Sequence, residues 1–290
     1  MAKMKTVSVN AYAKVNFTLD ILGREGGYHL LDSLVSTVSL FDSVTATART
    51  DGKTTVSFTG VGAEGIPPRN NALRAAEAFS DVFSDAFSMA GADIAIDRKI
   101  PVGAGLGSSS ADAAGVLRAL AALHGISDTV RLKAIADSLG SDTGYLLTGG
   151  WTRMTGRGEQ IAPIADMPAL SLLLLILSAG VSTPQCFAAF DRRAETFSPL
   201  TEKAIDCLRR EGAKGAHAFG NALTRAAEEL NPEVAVLLSE AAKLSEYGFG
   251  MTGSGSACYA VFASQEECLW ARKRYQGTAT ALCVSTGIVQ

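Results

Sequence analysis

The stretch Ile100-Pro101-Val102-Gly103-Ala104-Gly105-Leu106-Gly107-Ser108-Ser109-Ser110-Ala111-Asp112-Ala113-Ala114-Gly115 carries the reading from which the rest of the chain follows. Gly103, Gly105 and Gly107 let the backbone turn sharply and approach a ligand closely, because no Cβ obstructs a positive φ. Three serines come next and lead straight into an Ala/Leu-rich segment, residues 108–124, whose pattern predicts a helix. Serines at a helix start cap the first turn or offer hydroxyls, while the N–H groups and the positive end of the dipole face outward. A glycine loop that feeds a helix N-terminus is a phosphate cradle. A plain helix cap requires neither three alternating glycines nor three serines.

Two large nucleotide-using classes are excluded. The chain has no G-x-x-x-x-G-K-[ST] segment and nothing like the H-R-D and D-F-G segments of protein kinases. Gly248-Phe249-Gly250-Met251-Thr252-Gly253 matches G-x-G-x-x-G by letter. The run after it, Cys258 to Phe262, is apolar and strand-like, where a dinucleotide fingerprint demands a helix.

Outward from the loop, residues 6–59 are short alternating or apolar runs (7–9, 15–22, 34–40, 43–48 and 54–58) that read as strands. Residues 70–87 have helical spacing, 93–97 a strand pattern and 130–140 a second helix after the loop. The second half reads as strands at 151–154 and 171–177, helices at 184–193, 200–211 and 233–246, then strand 258–262, helix 265–275 and strand 280–284. Strands and helices in mixed order make an α+β arrangement, and the closing strand–helix–strand is similar to part of a ferredoxin-like layer. No Pro/Ser/Gly linker separates the halves. Two tightly packed lobes, residues 1–160 and 161–290, are therefore expected, with a site between them.

The 290 residues are 47% hydrophobic and 19% charged with a formal net charge of −3, which excludes a disordered chain. No Lys/Arg block exceeds Arg192-Arg193 or Arg209-Arg210, so no nucleic-acid partner is expected and any anionic ligand must be held locally. The start lacks the apolar core of a signal peptide. Residues 167–190 are uncharged, but their apolar heart, 170–177, is too short for a bilayer and reads as a buried strand. The expectation is a cytoplasmic protein without a membrane partner, whose five cysteines, lacking any C-x-x-C spacing, are reduced thiols.

The glycine–serine loop resembles the second signature of the GHMP kinases. Ala11-Tyr12-Ala13-Lys14-Val15-Asn16 resembles their first motif, and Met251-Thr252-Gly253-Ser254-Gly255-Ser256-Ala257-Cys258 with the strand after it resembles their third. Order and spacing agree, so the resemblance covers nearly the whole chain. It implies a two-lobed GHMP kinase fold, with an N-terminal mixed α/β lobe, a C-terminal ferredoxin-like lobe and the active site in the cleft between them. It also implies ATP and Mg²⁺. Within the superfamily, Ala13-Lys14-Val15-Asn16 followed by Gly27-Tyr28-His29 is most similar to the branch that phosphorylates the 2-hydroxyl of a cytidyl diphosphate sugar alcohol, a step of non-mevalonate isoprenoid precursor synthesis. Leu139-Gly140-Ser141-Asp142, and Gly180-Val181-Ser182-Thr183-Pro184 with Phe187, agree with that branch. Thr143-Gly144-Tyr145, Gly26 and the generic form of the serine loop depart from it. A GHMP kinase acting on mevalonate, homoserine or another small alcohol, and a catalytically silent nucleotide-binding relative, stand as alternatives.

The resemblance assigns roles residue by residue. Asp142 is the base that takes the hydroxyl proton, and Lys14 lies beside it. Pro101, Gly103, Ala104, Gly105, Leu106, Gly107, Ser108, Ser109 and Ser110 hold ATP, with Asn70 near the adenine. Tyr28 stacks on the cytosine, His29 hydrogen-bonds its polar edge and Phe187 closes the other face. Asn16 and Thr183 reach the methylerythritol phosphate portion, and Gly253 and Ser254 belong to the same subsite. No carboxylate is assigned to Mg²⁺, which is expected on phosphates, water and a hydroxyl such as Ser108 or Ser109. On residue chemistry alone, Asp142 reads equally as a turn cap, Lys14 as a solvated lysine, and Tyr28 and Phe187 as packing. His124 and His217 lack partners at metal-ligand spacing and are read as non-functional.

Overall fold

Residues 4–84, 91–193 and 198–290 are described by the structure, a computed structural model. The N-terminal runs join into longer strands than their patterns suggest, namely β1 (Thr6–Asn16), β2 (Thr18–Glu25), β3 (Tyr28–Ala48) and β4 (Thr55–Gly60). Two of the expected strands fuse within β3, where the polar residue at their junction, Asp42, is fully buried with one carboxylate oxygen hydrogen-bonded. Its Oδ1 accepts the backbone N–H groups of Lys99 and Ile100. The β2–β3 hairpin turns on Gly26-Gly27, both at positive φ (56° and 85°), as a two-residue turn of the primed type requires.

Helix α1 (Asn71–Val82) and strand β5 (Ala92–Arg98) follow, and part of the helix expected to extend to residue 87 lies outside the described residues. Then come α2 (Ser108–His124), α3 (Thr129–Leu139), α4 (Ser141–Tyr145), and the strands β6 (Trp151–Gly156) and β7 (Gln160–Pro163). β3 pairs antiparallel with β1, β2, β5 and β6, so it organises the larger, eight-stranded sheet. Helix α2 is seated hard against this sheet, since a Cβ on Gly115 would lie 2.7 Å from Val44 and 2.8 Å from Ala11. Small residues all round the helix permit that approach and explain its alanine-rich sequence.

The second half supplies β8 (Ser171–Ile176), α5 (Thr183–Arg193), α6 (Thr201–Glu211), β9 (Gly220–Asn221), α7 (Thr224–Leu230) and α8 (Glu233–Leu244). It closes with β10 (Phe249–Met251), β11 (Cys258–Phe262), α9 (Gln265–Arg274) and β12 (Thr280–Ser285). The four-stranded sheet runs β10-β11-β8-β12, antiparallel throughout, which is the ferredoxin-like order. Leu172 and Leu174 of β8 join the core of the large sheet, while Leu173 and Leu175 join a second core with Leu237, Phe262 and Cys268. A strand buried on both faces reads as an unbroken apolar run, which accounts for the leucines at 172–175. No described helix is long and apolar enough to cross a membrane. All five cysteines are free, and burial pushes the Cys186 thiol up to about 11 and Cys258 to about 12. The Gly248–Gly253 segment leads from β10 into β11, so no helix follows its glycines.

Candidate active site

Beside the larger sheet lies a cavity of about 1210 Å³, more than the roughly 300–1,000 Å³ of a single-ligand pocket. Three walls meet in it: the loop from Pro101 to Ser110, the β2–β3 hairpin tip with α5 opposite, and the Gly253-Ser254 turn.

The loop wall is built from backbone. Gly103, Gly105 and Gly107 all have positive φ, between 69° and 77°. Gly107 is the N-cap of α2, and no side chain caps that helix, so the three serines leave its positive end to face the cavity. Glycine at 105 is demanded by a neighbour as well as by φ, because its Cβ would stand 2.1 Å from the Thr252 carbonyl oxygen. Thr252 ties the walls together, accepting the Asn16 N–H at 3.0 Å and donating to the Gly105 carbonyl at 3.2 Å, while Ala257 N–H donates to Ala104 O at 3.1 Å. Asn221 braces the same turn by donating to the Met251 and Gly253 carbonyls. The third glycine-rich motif is thus the packing partner of the second.

Under the loop, Arg98 at the end of β5 is 3% exposed, with Nε 3.3 Å from Asp112 and 4.0 Å from Asp42. Burial raises both carboxyls. Asp112 rises to about 8, with Asp42 adding to the push against the pull of Arg98. The backbone N–H groups of Lys99 and Ile100, both donated to Asp42 Oδ1, oppose the rise at Asp42. Arg98 also donates to the Ser108 hydroxyl, which in turn donates to Ile100 O at 3.4 Å. Ser108 is therefore buried and its hydroxyl braced by the loop, though the residue still lines the cavity. Ser109, exposed in the cavity, keeps its hydroxyl toward solvent.

At the floor, Lys14 Nζ lies 3.3 Å from Asp142 Oδ2, with the lysine side chain 7% and the aspartate 29% exposed. Lys14 also donates to Asn16 Oδ1, and Asn16 Nδ2 donates to Ser33 Oγ at 2.8 Å. Asp142 sits in the first turn of α4, an element too short to give a periodic signal. The departures that follow it are buried beneath: Thr143, Gly144 and Tyr145 are not in the cavity wall, and a Cβ at Gly144 would collide with Asp137.

On the far wall, Thr183 Oγ1 meets Ser254 Oγ at 2.8 Å. Tyr28 is 58% exposed, with the Arg157 guanidinium 4.5 Å over its ring. Phe187 stacks on His29 (4.7 Å, 26°), so the ring pair formed here is Phe187–His29 and not Phe187–Tyr28. Asn70 is the one expected site residue outside the cavity wall. Its side chain caps α1 by accepting the Leu73 N–H at 2.9 Å and donates to Pro67 O, so its polar atoms are occupied. Residue patterns missed Arg24, Arg157 and Asp191, exposed polar groups that only the tertiary fold brings to the cavity. Asp112 did leave a signal, a carboxylate in the buried, alanine-rich part of α2.

The family model described as GHMP kinases N terminal domain matches residues 70–151, and that described as GHMP kinases C terminal matches residues 204–268. The chain is 35% identical over 281 residues to a 4-diphosphocytidyl-2-C-methyl-D-erythritol kinase of Desulfitobacterium hafniense, covering 93% of each. It is 36% identical over 274 residues to the kinase of the same name from Paracoccus denitrificans, covering 92% of this chain and 91% of that one. A crystal structure of a 4-(cytidine 5'-diphospho)-2C-methyl-D-erythritol kinase superposes with a TM-score of 0.79 at 28% identity, covering 97% of this chain and all of the other.

Proposed function

The chain belongs to the GHMP kinases, and on that premise we propose that it transfers the γ-phosphoryl group of ATP to the 2-hydroxyl of 4-diphosphocytidyl-2-C-methyl-D-erythritol. The observation that carries this reading is the Lys14–Asp142 pair, 3.3 Å apart, at the floor of one cavity whose opposite walls are a glycine-built anion cradle and an aromatic-lined slot.

The cradle from Gly103 to Ser110 receives the triphosphate, with the N-terminus of α2 directed at its charge. The acceptor enters from the other wall, its base against Tyr28, His29 and Phe187 and its sugar alcohol near Asn16 and Thr183. Asp142 accepts the proton of the attacking hydroxyl. Lys14, pinned by Asn16, fixes the carboxylate and supplies positive charge to the phosphoryl oxygens as charge spreads in the transition state. Among the described residues no cluster of three His, Cys, Asp or Glu side chains forms a metal cage. That fits an ion held chiefly by phosphate oxygens and water, with the Ser109 hydroxyl as the protein's contribution. Bound Mg²⁺ supplies neutralising charge to the triphosphate.

The test is ADP release from ATP and Mg²⁺ with each of a panel of alcohols, the cytidyl substrate, mevalonate and homoserine among them. Turnover with the cytidyl substrate alone is expected. Turnover with mevalonate or homoserine in its place, or with none of the panel, overturns the reading.

A further inference from the structure

His29 is held more tightly than a base-reading side chain needs for packing alone. Its Nε2 lies 2.7 Å from Asp191 Oδ1, and Phe187 covers one ring face. Asp191, in the last turn of α5, is itself held by Arg24 of β2, whose Nη1 stands 3.1 Å from Oδ2 and whose Nη2 reaches Gly27 O at 3.3 Å. Three elements thus converge on one imidazole. A carboxylate only accepts, so the ring proton resides on Nε2, and in the neutral ring Nδ1 presents a bare lone pair. Among the described residues no protein group takes up Nδ1, and His29, Asp191 and Arg24 all line the cavity.

We infer that Asp191 is a positioning residue that fixes the tautomer of His29 and thereby makes the acceptor subsite select a base with an exocyclic amine over one with a carbonyl at the same place. This rests on the reading that the acceptor carries cytosine. The cytosine N4 amine donates and is matched by a lone pair on Nδ1, whereas the uracil O4 accepts and would face another acceptor. A contact between two acceptors leaves both unpaired, and a site built around one hydrogen bond rejects an analogue that cannot make it. A merely structural Asp191 would act differently. Its pair with Arg24, 54% exposed, is of the kind that contributes little to stability, and its loss would fall equally on all ligands.

The test compares kcat/KM of the full chain for the cytidyl substrate and its uridyl counterpart at saturating ATP, before and after Asp191→Ala and Asp191→Glu. The nitrogen-15 shifts of the His29 ring in the wild type report the tautomer independently. The expected results are an Nε2-protonated ring, a wild-type preference for the cytidyl substrate, and an approximately tenfold loss of that preference in Asp191→Ala with the KM for ATP unchanged. Asp191→Glu, which keeps an acceptor, should recover part of it. An Nδ1-protonated ring, or a variant that keeps the wild-type preference, overturns the inference while leaving the kinase reading intact. A wild type that does not turn over the cytidyl substrate overturns that reading and the inference with it, and this is seen before any substitution is made.

Discussion

The two walls of the cleft are made by different means. The wall proposed to receive ATP is backbone, with glycines at positive φ, a helix N-terminus without a side-chain cap, and a second glycine-rich turn wedged behind it at 2.1 Å from where a Gly105 Cβ would be. The wall proposed to hold the acceptor is side chain, with Tyr28 exposed on a hairpin, Phe187 on α5, and His29 held in place by Asp191 from the far end of that helix. A wall of main chain recognises a group common to every nucleoside triphosphate, and a wall of side chains can be changed to suit one acceptor. In the proposed reaction only Lys14 and Asp142, on the floor, serve both.

That contrast is sharpest at the floor. Asp142→Asn keeps the shape but removes the carboxylate, and kcat should fall by about 10²-fold or more with ATP affinity nearly unchanged, as steady-state kinetics and ATP titration will report. An unchanged kcat would remove Asp142 from the chemistry.

Gly105→Val tests the backbone wall. Positive φ alone imposes a strain of about 1–3 kcal/mol, and the side chain would be driven against Thr252. From the loop sequence, a valine here is expected to intrude on the phosphates. The structure directs it into the contact between the two glycine motifs instead, so both the melting temperature and the affinity for ATP should drop. A variant of wild-type stability with weakened ATP binding would show that the side chain enters the cradle after all.

Tyr28→Ala tests the side-chain wall. Loss of stacking worth on the order of 1–3 kcal/mol should weaken a cytidine diphosphate ligand roughly 5- to 150-fold and spare ATP, measured by calorimetry on a variant shown to be folded. Equal weakening of both ligands would make Tyr28 a packing residue and dissolve the contrast.

The smallest effect belongs to the network beneath the loop. Asp112 titrates near 8 against an ordinary 3.8 because burial penalises its charge, so the folded protein keeps a proton that the unfolded chain has lost. The stability this confers is complete below about pH 4 and disappears as pH rises through 8. Asp112→Asn cannot ionise, so its melting temperature should decline less than that of the wild type between pH 5 and 9, with kcat little altered. Parallel melting curves would indicate that Asp112 is charged throughout.

The same division governs what the sequence disclosed. The cradle was legible because its features are local: alternating glycines, a serine run and a helix at 108–124 whose limits agree with the expectation. The leucine-rich β8 was legible because both its faces are buried. Asp42 was not, since the N–H groups that meet its carboxylate come from some 57 residues away. For Asn70 the pattern does not disclose that its side chain caps α1. Asp191 lies 162 residues from His29 and carries no pattern that announces the pairing. The roles proposed for Lys14 and Asp142 come only from the family resemblance, because a lysine on a strand and an aspartate after Leu-Gly-Ser carry no role in themselves.

Calorimetric titration of the wild type with a non-hydrolysable ATP analogue and with an unreactive cytidine diphosphate ligand, each in the absence and then the presence of a saturating amount of the other, addresses the independence of the two walls. If one cavity holds two separately built subsites with Lys14 and Asp142 between them, both ligands bind at once, each with one site per chain. Displacement of either ligand by the other would mean a single shared site, and would contradict the account.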